Sequence, residues 1–184
     1  MESLARAAGR HKDLIAVFRE VAPKLLDAEL QRDVLMRIAD TALTNLNDTA
    51  TAREHFEKAL ENQADFAPAL DALESLHEST QQWDELLSVL RRKVELADSD
   101  AARRALLHKV ARIQEERRDD RAGAVEAYEA ILGSGFDAES ATALERLYAR
   151  AGRWDDLANL LESQLTRDGA DAAALHHRLG RVAM

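Results

Sequence analysis

The chain has no cysteine among its 184 residues, so neither a disulfide framework nor a thiolate metal site can be built from it. Only two prolines and seven glycines are present, and Phe, Trp and Tyr together make up 4%. All-β folds need frequent turn residues and strand-forming aromatics, and this composition offers few of either. No apolar run approaches the ~20 residues of a membrane-spanning helix. The first twenty residues lack the apolar core of a secretory signal peptide. Basic residues are outnumbered, 25 Lys and Arg against 34 Asp and Glu, and the net charge of −9 argues against non-specific nucleic-acid binding. No P-loop, G-x-S-x-G elbow, H-E-x-x-H pair or dinucleotide fingerprint occurs, which points away from an enzyme and from any cofactor.

What is present is helix-forming material. Hydrophobic residues are 46% of the chain, with Ala and Leu dominant. Charge is uneven: residues 1–100 hold 12 basic against 20 acidic side chains, residues 101–184 hold 13 against 14. The preference for Arg over Lys, with so much Ala, suggests a GC-rich bacterial genome. The lack of Cys fits a reducing compartment, and a cytoplasmic location is the expectation.

The chain also repeats itself. Trp83–Leu90 reads WDELLSVL, and Trp154–Leu161 reads WDDLANLL. Leu73 and Leu76 return as Leu144 and Leu147 at the same offset, and a weaker copy, His11–Phe18, lies one position more than that offset before Trp83. A fixed period is the mark of a repeat array, in which each unit leans on its neighbours. Within a period two kinds of apolar stripe alternate at helical spacing. One runs Trp83, Leu86, Leu87, Leu90, Val94. The other runs Ala52, Phe56, Ala59, Leu60 and returns as Ala124, Tyr128, Ile131, Leu132. Each period is therefore two helical hairpins.

Breaks between stripes carry turn or cap chemistry. Gly9 and Gly152 precede the His11 and Trp154 helices, Asp48 and Asp120 stand as N-caps, and Gly133 and Gly135 close the Tyr128 helix. The spacing predicts helices over 2–8, 11–24, 29–45, 49–62, 66–79, 82–97, 101–117, 120–132, 137–150, 153–167 and 171–184, with no strand.

These residues resemble the tetratricopeptide repeat, a helix–turn–helix unit of about 34 residues. Leu179-Gly180 is similar to the pair that marks its first helix, helix A. Leu144, Tyr148, Gly152 and Trp154 match helix A and the turn, while Ala52-Phe56-Ala59 and Ala124-Tyr128 match helix B. The departures are specific. Leu86 and Leu157 replace the first helix B alanine, Lys93 and Gln164 the second, and Glu74 and Glu145 occupy the small-residue slot of helix A. The even hairpins carry one extra residue in their turn. The resemblance implies an all-α fold, a right-handed α-solenoid of stacked antiparallel hairpins. They would span approximately 1–25, 28–62, 66–97, 100–133 and 137–168, with a partial hairpin at 171–184.

By this phase the chain begins and ends inside a helix A, as expected of a piece of a longer repeat protein. Leu4 and Ala8 at one end, and Leu175 and Leu179 at the other, would then expose apolar faces open to end-to-end self-association.

Trp83 and Trp154 recur in phase with the leucine stripe, so burial against helix A is preferred over a role as ligand anchors. His176 and His177 point about 100° apart on a helix and make no metal pair. The carboxylate pairs Glu115-Glu116, Asp119-Asp120 and Asp155-Asp156 are assigned to helix termini and solvated faces rather than to acid–base chemistry.

In the resembled family, helix A residues line a concave groove that binds a peptide or helix of a partner protein. Carried over, these positions are Asp33, Met36, Asp40, Leu43 and Thr44, then Asp71, Ser75, Glu78 and Ser79. Further on they are His108, Arg112 and Glu115, then Thr142, Arg146 and Arg150, and last His177 and Arg181. Early positions are acidic and later ones basic, so a partner with the complementary dipole would bind in one direction. The leading expectation is a protein–protein interaction scaffold that helps assemble or recruit a complex, with no nucleic acid and no membrane insertion. The alternatives are a regulatory domain of a larger enzyme, such as a kinase or peptidase, and a structural spacer.

Overall fold

A computed structural model describes residues 9–165 and Arg178. Among the described residues the fold is all α: α1 (His11–Val21), α2 (Ala28–Leu46), α3 (Thr49–Asn62), α4 (Ala67–Ser79), α5 (Trp83–Leu96), α6 (Asp100–Arg117), α7 (Arg121–Ser134), α8 (Ala138–Ala151) and α9 (Trp154–Leu165). A 3-10 turn, Ala22–Lys24, extends α1. Expected and observed helices agree to within three residues between 11 and 165, the largest difference being the end of the first, whose last three residues are the 3-10 turn. The expected helices at 2–8 and 171–184, with Leu4, Ala8, Leu175 and Leu179, lie outside the described residues.

Side chains start many of these helices. Asp27, Asp48, Ser99, Asp120 and Asp137 each accept a hydrogen bond from a backbone N–H in the first turn. Such caps satisfy donors that have no partner within the helix.

The turns inside the hairpins share one device. Asn47, Gln81, Asp119 and Gly152 all have positive φ, between 50° and 67°. After α4, the Gln82 N–H donates to His77 O at 2.9 Å, and after α8 the Arg153 N–H donates to Tyr148 O at 3.0 Å. These bonds reach back five residues, the Schellman pattern. After α2 and α6 the closing bonds reach back six, from Asp48 N–H to Ala42 O and from Asp120 N–H to Gln114 O. The one-residue difference is the extra turn residue expected for the even hairpins. Such short connections make consecutive helices antiparallel.

The chain forms two compact units, Met1–Leu96 and Ala97–Met184. In the first, α1 packs on α2, α2 on α3, α3 on α4 and α4 on α5; in the second, α6 packs on α7, α7 on α8 and α8 on α9. Fully buried Ala39, Ala42, Ala52, Ala59 and Ala69 let backbones in the first unit approach closely around Ile38 and Phe56. In the second, Ala111, Ala124, Ile131, Leu144 and Leu147 fill the same role around Tyr128.

Four of the departures from the repeat pattern meet one another in polar contacts. Lys93 Nζ ion-pairs with half-buried Glu74 and, at 2.6 Å, with Asp71. In the equivalent place Gln164 Nε2 donates to Glu145 Oε1 at 3.1 Å. Where the pattern sets a small residue against an alanine, this chain sets a carboxylate on helix A against a long polar side chain on helix B. Each carboxylate is partly covered, so the polar partner on helix B, with Asp71 beside Lys93 and Arg178 beside Glu145, offsets the cost of desolvating it.

Burial corrects the expectation for the tryptophans. Trp83 is half-buried, but Trp154 is 52% exposed. The leucine stripe behind them carries the burial instead: Leu86, Leu87 and Leu90 in α5, Leu157 and Leu161 in α9. Trp154 precedes that stripe at the first position of its helix, where the neighbouring turn ends and cannot cover a ring of that size.

Two outcomes follow for thermal unfolding of the full chain. Gln81 holds a conformation that costs an L-residue about 1–2 kcal/mol, while its counterpart after α8 is a glycine. Gln81→Gly should therefore stabilise by up to about 1 kcal/mol, read as a raised midpoint. Trp154→Ala should cost less than about 2 kcal/mol because half of the ring is already in water, whereas Leu161→Ala should cost about 2–5 kcal/mol.

Candidate partner-binding surface

In the first unit the expected groove positions fall on α2 and α4. Asp33 and Asp40 are exposed on α2, but Met36 and Leu43 are half-buried and rest against the hydrophobic core, so they form the edge of that core. Asp71, Ser75 and Glu78 are exposed on α4. The Asp71 carboxylate is engaged by Lys93, and the Ser75 hydroxyl donates to Asp71 O at 3.0 Å.

In the second unit they fall on α6 and α8, and here the structure gathers several together. A hollow of about 590 Å³ is lined by Arg112, Glu115 and Glu116 from α6 and by Glu139, Thr142, Ala143 and Arg146 from α8, with Tyr128 of α7 also in its wall. Arg150 is exposed further along α8. His108 is half-buried near this wall, its Nε2 3.3 Å from Asp137 Oδ1 and its Nδ1 3.8 Å from Glu139 Oε1. His177 and Arg181 lie outside the described residues.

Two charge assignments change. Arg146 forks onto Glu115, with Nη2 donating to Oε2 at 2.8 Å. The guanidinium holds the Glu115 carboxyl below the usual carboxylate range, against the opposing effect of burial. Glu115 is thus a paired, largely covered carboxylate and not part of a solvated face. The expected basic wall loses Arg146, whose charge is cancelled inside the unit, just as the acidic wall in the first unit is reduced at Asp71. The position in helix A was legible from the repeat phase. The pairing was not, because Glu115 and Arg146 are 31 residues apart and in different hairpins.

A second hollow, about 510 Å³, was not expected. It lies among α1, α2 and α3 and includes Arg19, Gln31, Leu35, Ile38, His55 and Lys58. His55 is buried, its Nδ1–H donating to Thr51 O at 2.9 Å and its Nε2 accepting from Arg19 Nε at 3.4 Å. Arg19 also donates to Thr51 Oγ1 at 3.2 Å and lies 3.9 Å from Glu54, so α1 is pinned to α3 through a neutral imidazole. Burial lowers the affinity of His55 for a proton, and Arg19 and Lys58 add to this against Thr51 O and Glu54. The folded value lies below the unfolded one, near 6.5, so the stabilisation is complete above that pH and is lost progressively below it. The melting midpoint should fall between pH 7 and pH 5, and His55→Gln should flatten that slope.

Among the described residues no group of three or more His, Asp or Glu side chains could hold a metal ion, and no helix is long and apolar enough to cross a membrane. No curated protein matches the chain. The tetratricopeptide-repeat family model matches residues 69–104 and 140–173. The two matches start at Ala69 and Ser140, the same offset that separates Trp83 from Trp154, and each begins in the first helix of a hairpin, α4 or α8, and continues through α5 or α9. They fall on the hairpins in which Leu86 and Leu157 replace the first helix B alanine. At these two hairpins the chain is similar to the tetratricopeptide repeat both in sequence and in its helix–turn–helix structure.

Proposed function

We propose that this protein binds an extended peptide segment of a partner protein on the helix A face of its second unit, and so helps to assemble a complex rather than to catalyse a reaction. Repeats of this family generally mediate contacts between proteins. The observation that carries the reading is the hollow between α6 and α8, lined by four of the expected groove residues, Arg112 and Glu115 from α6 and Thr142 and Arg146 from α8. Its polar groups come from two different hairpins and ring an open depression, an arrangement suited to a side chain entering from outside. The Arg146–Glu115 pair fixes the spacing of α6 and α8 without a ligand, which lowers the ordering cost of binding.

Selection of displayed peptides on the immobilised full chain tests this. Enriched peptides should bind the wild-type chain and lose about tenfold or more in affinity to Thr142→Trp, which fills the hollow from an exposed position. Glu126→Arg, on the exposed side of α7, should bind them unchanged. Equal binding by Thr142→Trp and wild type would place the binding surface elsewhere and defeat the reading.

A further inference from the structure

Trp154 is the most exposed of the aromatic residues described, and it does not stand on a flat surface. Its ring borders a third hollow, of about 560 Å³, lined by α8 and α9 together with Arg178. Exposed Ala149 and Trp154 and buried Leu157 and Leu161 supply the apolar part of that lining. The polar side chains of the described lining are all engaged within the chain. Thr142 Oγ1 donates to Ala138 O at 2.8 Å, Arg146 forks onto Glu115, and Glu145 holds both Gln164 and Arg178. Thr142 and Arg146 also line the hollow between α6 and α8, so the two hollows share one stretch of α8. A peptide that reaches the first hollow therefore meets the second.

We propose that this hollow anchors one bulky apolar side chain, phenylalanine or leucine, of the bound peptide against the Trp154 ring; this rests on the peptide-binding reading above. The internal pairing decides the class of side chain. An incoming cation faces Arg146 and Arg178, and an incoming carboxylate faces Glu145, so either gains only by breaking an ion pair already made. A neutral apolar group breaks none of them. It also takes out of water both its own surface and the half of the indole that the fold leaves exposed, which is the dominant favourable term in association. The ring is well placed for this. Trp154 opens α9, and Leu157 and Leu161 of the same stripe are fixed in the core behind it, so the backbone that carries the indole is already ordered. Large, pre-ordered tryptophans of this kind are enriched among the few residues that dominate binding energy. The neighbouring hollow is lined mainly by charged and polar groups, so a position that selects apolar side chains belongs to the Trp154 hollow and not to that one.

The test uses the full chain and a positional peptide library in which each position is fixed in turn as Phe, Leu, Ser, Arg or Glu, with binding followed by fluorescence anisotropy. One position should favour Phe or Leu over Ser by about tenfold. Trp154→Ala should remove that preference, weakening the Phe peptide by about tenfold or more and the Ser peptide little, while Trp154→Phe keeps most of it. A melting curve confirms that the variants fold. In Trp83→Phe, which leaves Trp154 as the single tryptophan, acrylamide should quench the emission readily without peptide and less readily with the Phe peptide bound. Four results would overturn the pocket while leaving the peptide-binding reading standing: binding with no apolar preference, a Trp154-dependent preference for Arg or Glu, an apolar preference that survives Trp154→Ala, or a Trp154 already shielded by the chain itself before peptide is added. Failure of the chain to bind any peptide would overturn both.

Discussion

A helical hairpin of this size cannot enclose a core, so everything depends on its two helices being held face to face with the right phase. That phase is set at the turn by a single left-handed residue, Asn47, Gln81, Asp119 or Gly152, and by the backbone bond that closes behind it. Once the turn is fixed, the apolar stripes of the two helices meet, and the leftover apolar surface is offered to the next hairpin. The caps at Asp48, Asp120 and Asp137 then start the following helices at defined positions. Core, polar pairs and the exposed helix A faces all inherit their register from these few residues.

Helices and turns were legible because both are local. The i, i+3, i+4 spacing of leucines and alanines, the N-cap aspartates and the extra residue in the even turns all lie within a few positions of each other, and the structure repeats them closely. What reached across hairpins was not legible. Lys93 with Glu74, Gln164 with Glu145 and Arg146 with Glu115 join residues 19 or 31 positions apart, and nothing in a single sequence links them. Trp154 misled for a related reason: recurrence in phase with a buried stripe says which side of the helix a residue takes, but not whether a neighbour is there to cover it.

The candidate site was half legible. Arg112, Glu115, Thr142 and Arg146 could be named from helix A phase, since that phase decides which side of α6 and α8 they occupy. Glu115 could not be given its partner, because the pairing depends on what stands opposite. Glu115 was grouped with Glu116 as a solvated pair, while its partner Arg146 was assigned to a basic wall. The signal that could have exposed it was the internal comparison of Glu115 with Leu43, an apolar residue one period earlier.

The alternation of turn widths also says what the repeating module of this protein is. Wide and narrow closures alternate along the chain, and one sequence period, such as that from Trp83 to Trp154, contains one of each. Copying or losing one hairpin would set two turns of the same width side by side and misalign the stripes that meet between neighbours. Copying or losing two preserves the alternation. Lineages of this chain can therefore lengthen or shorten smoothly only in double steps, and a designer wishing to graft or excise repeats should cut at equivalent positions of successive periods.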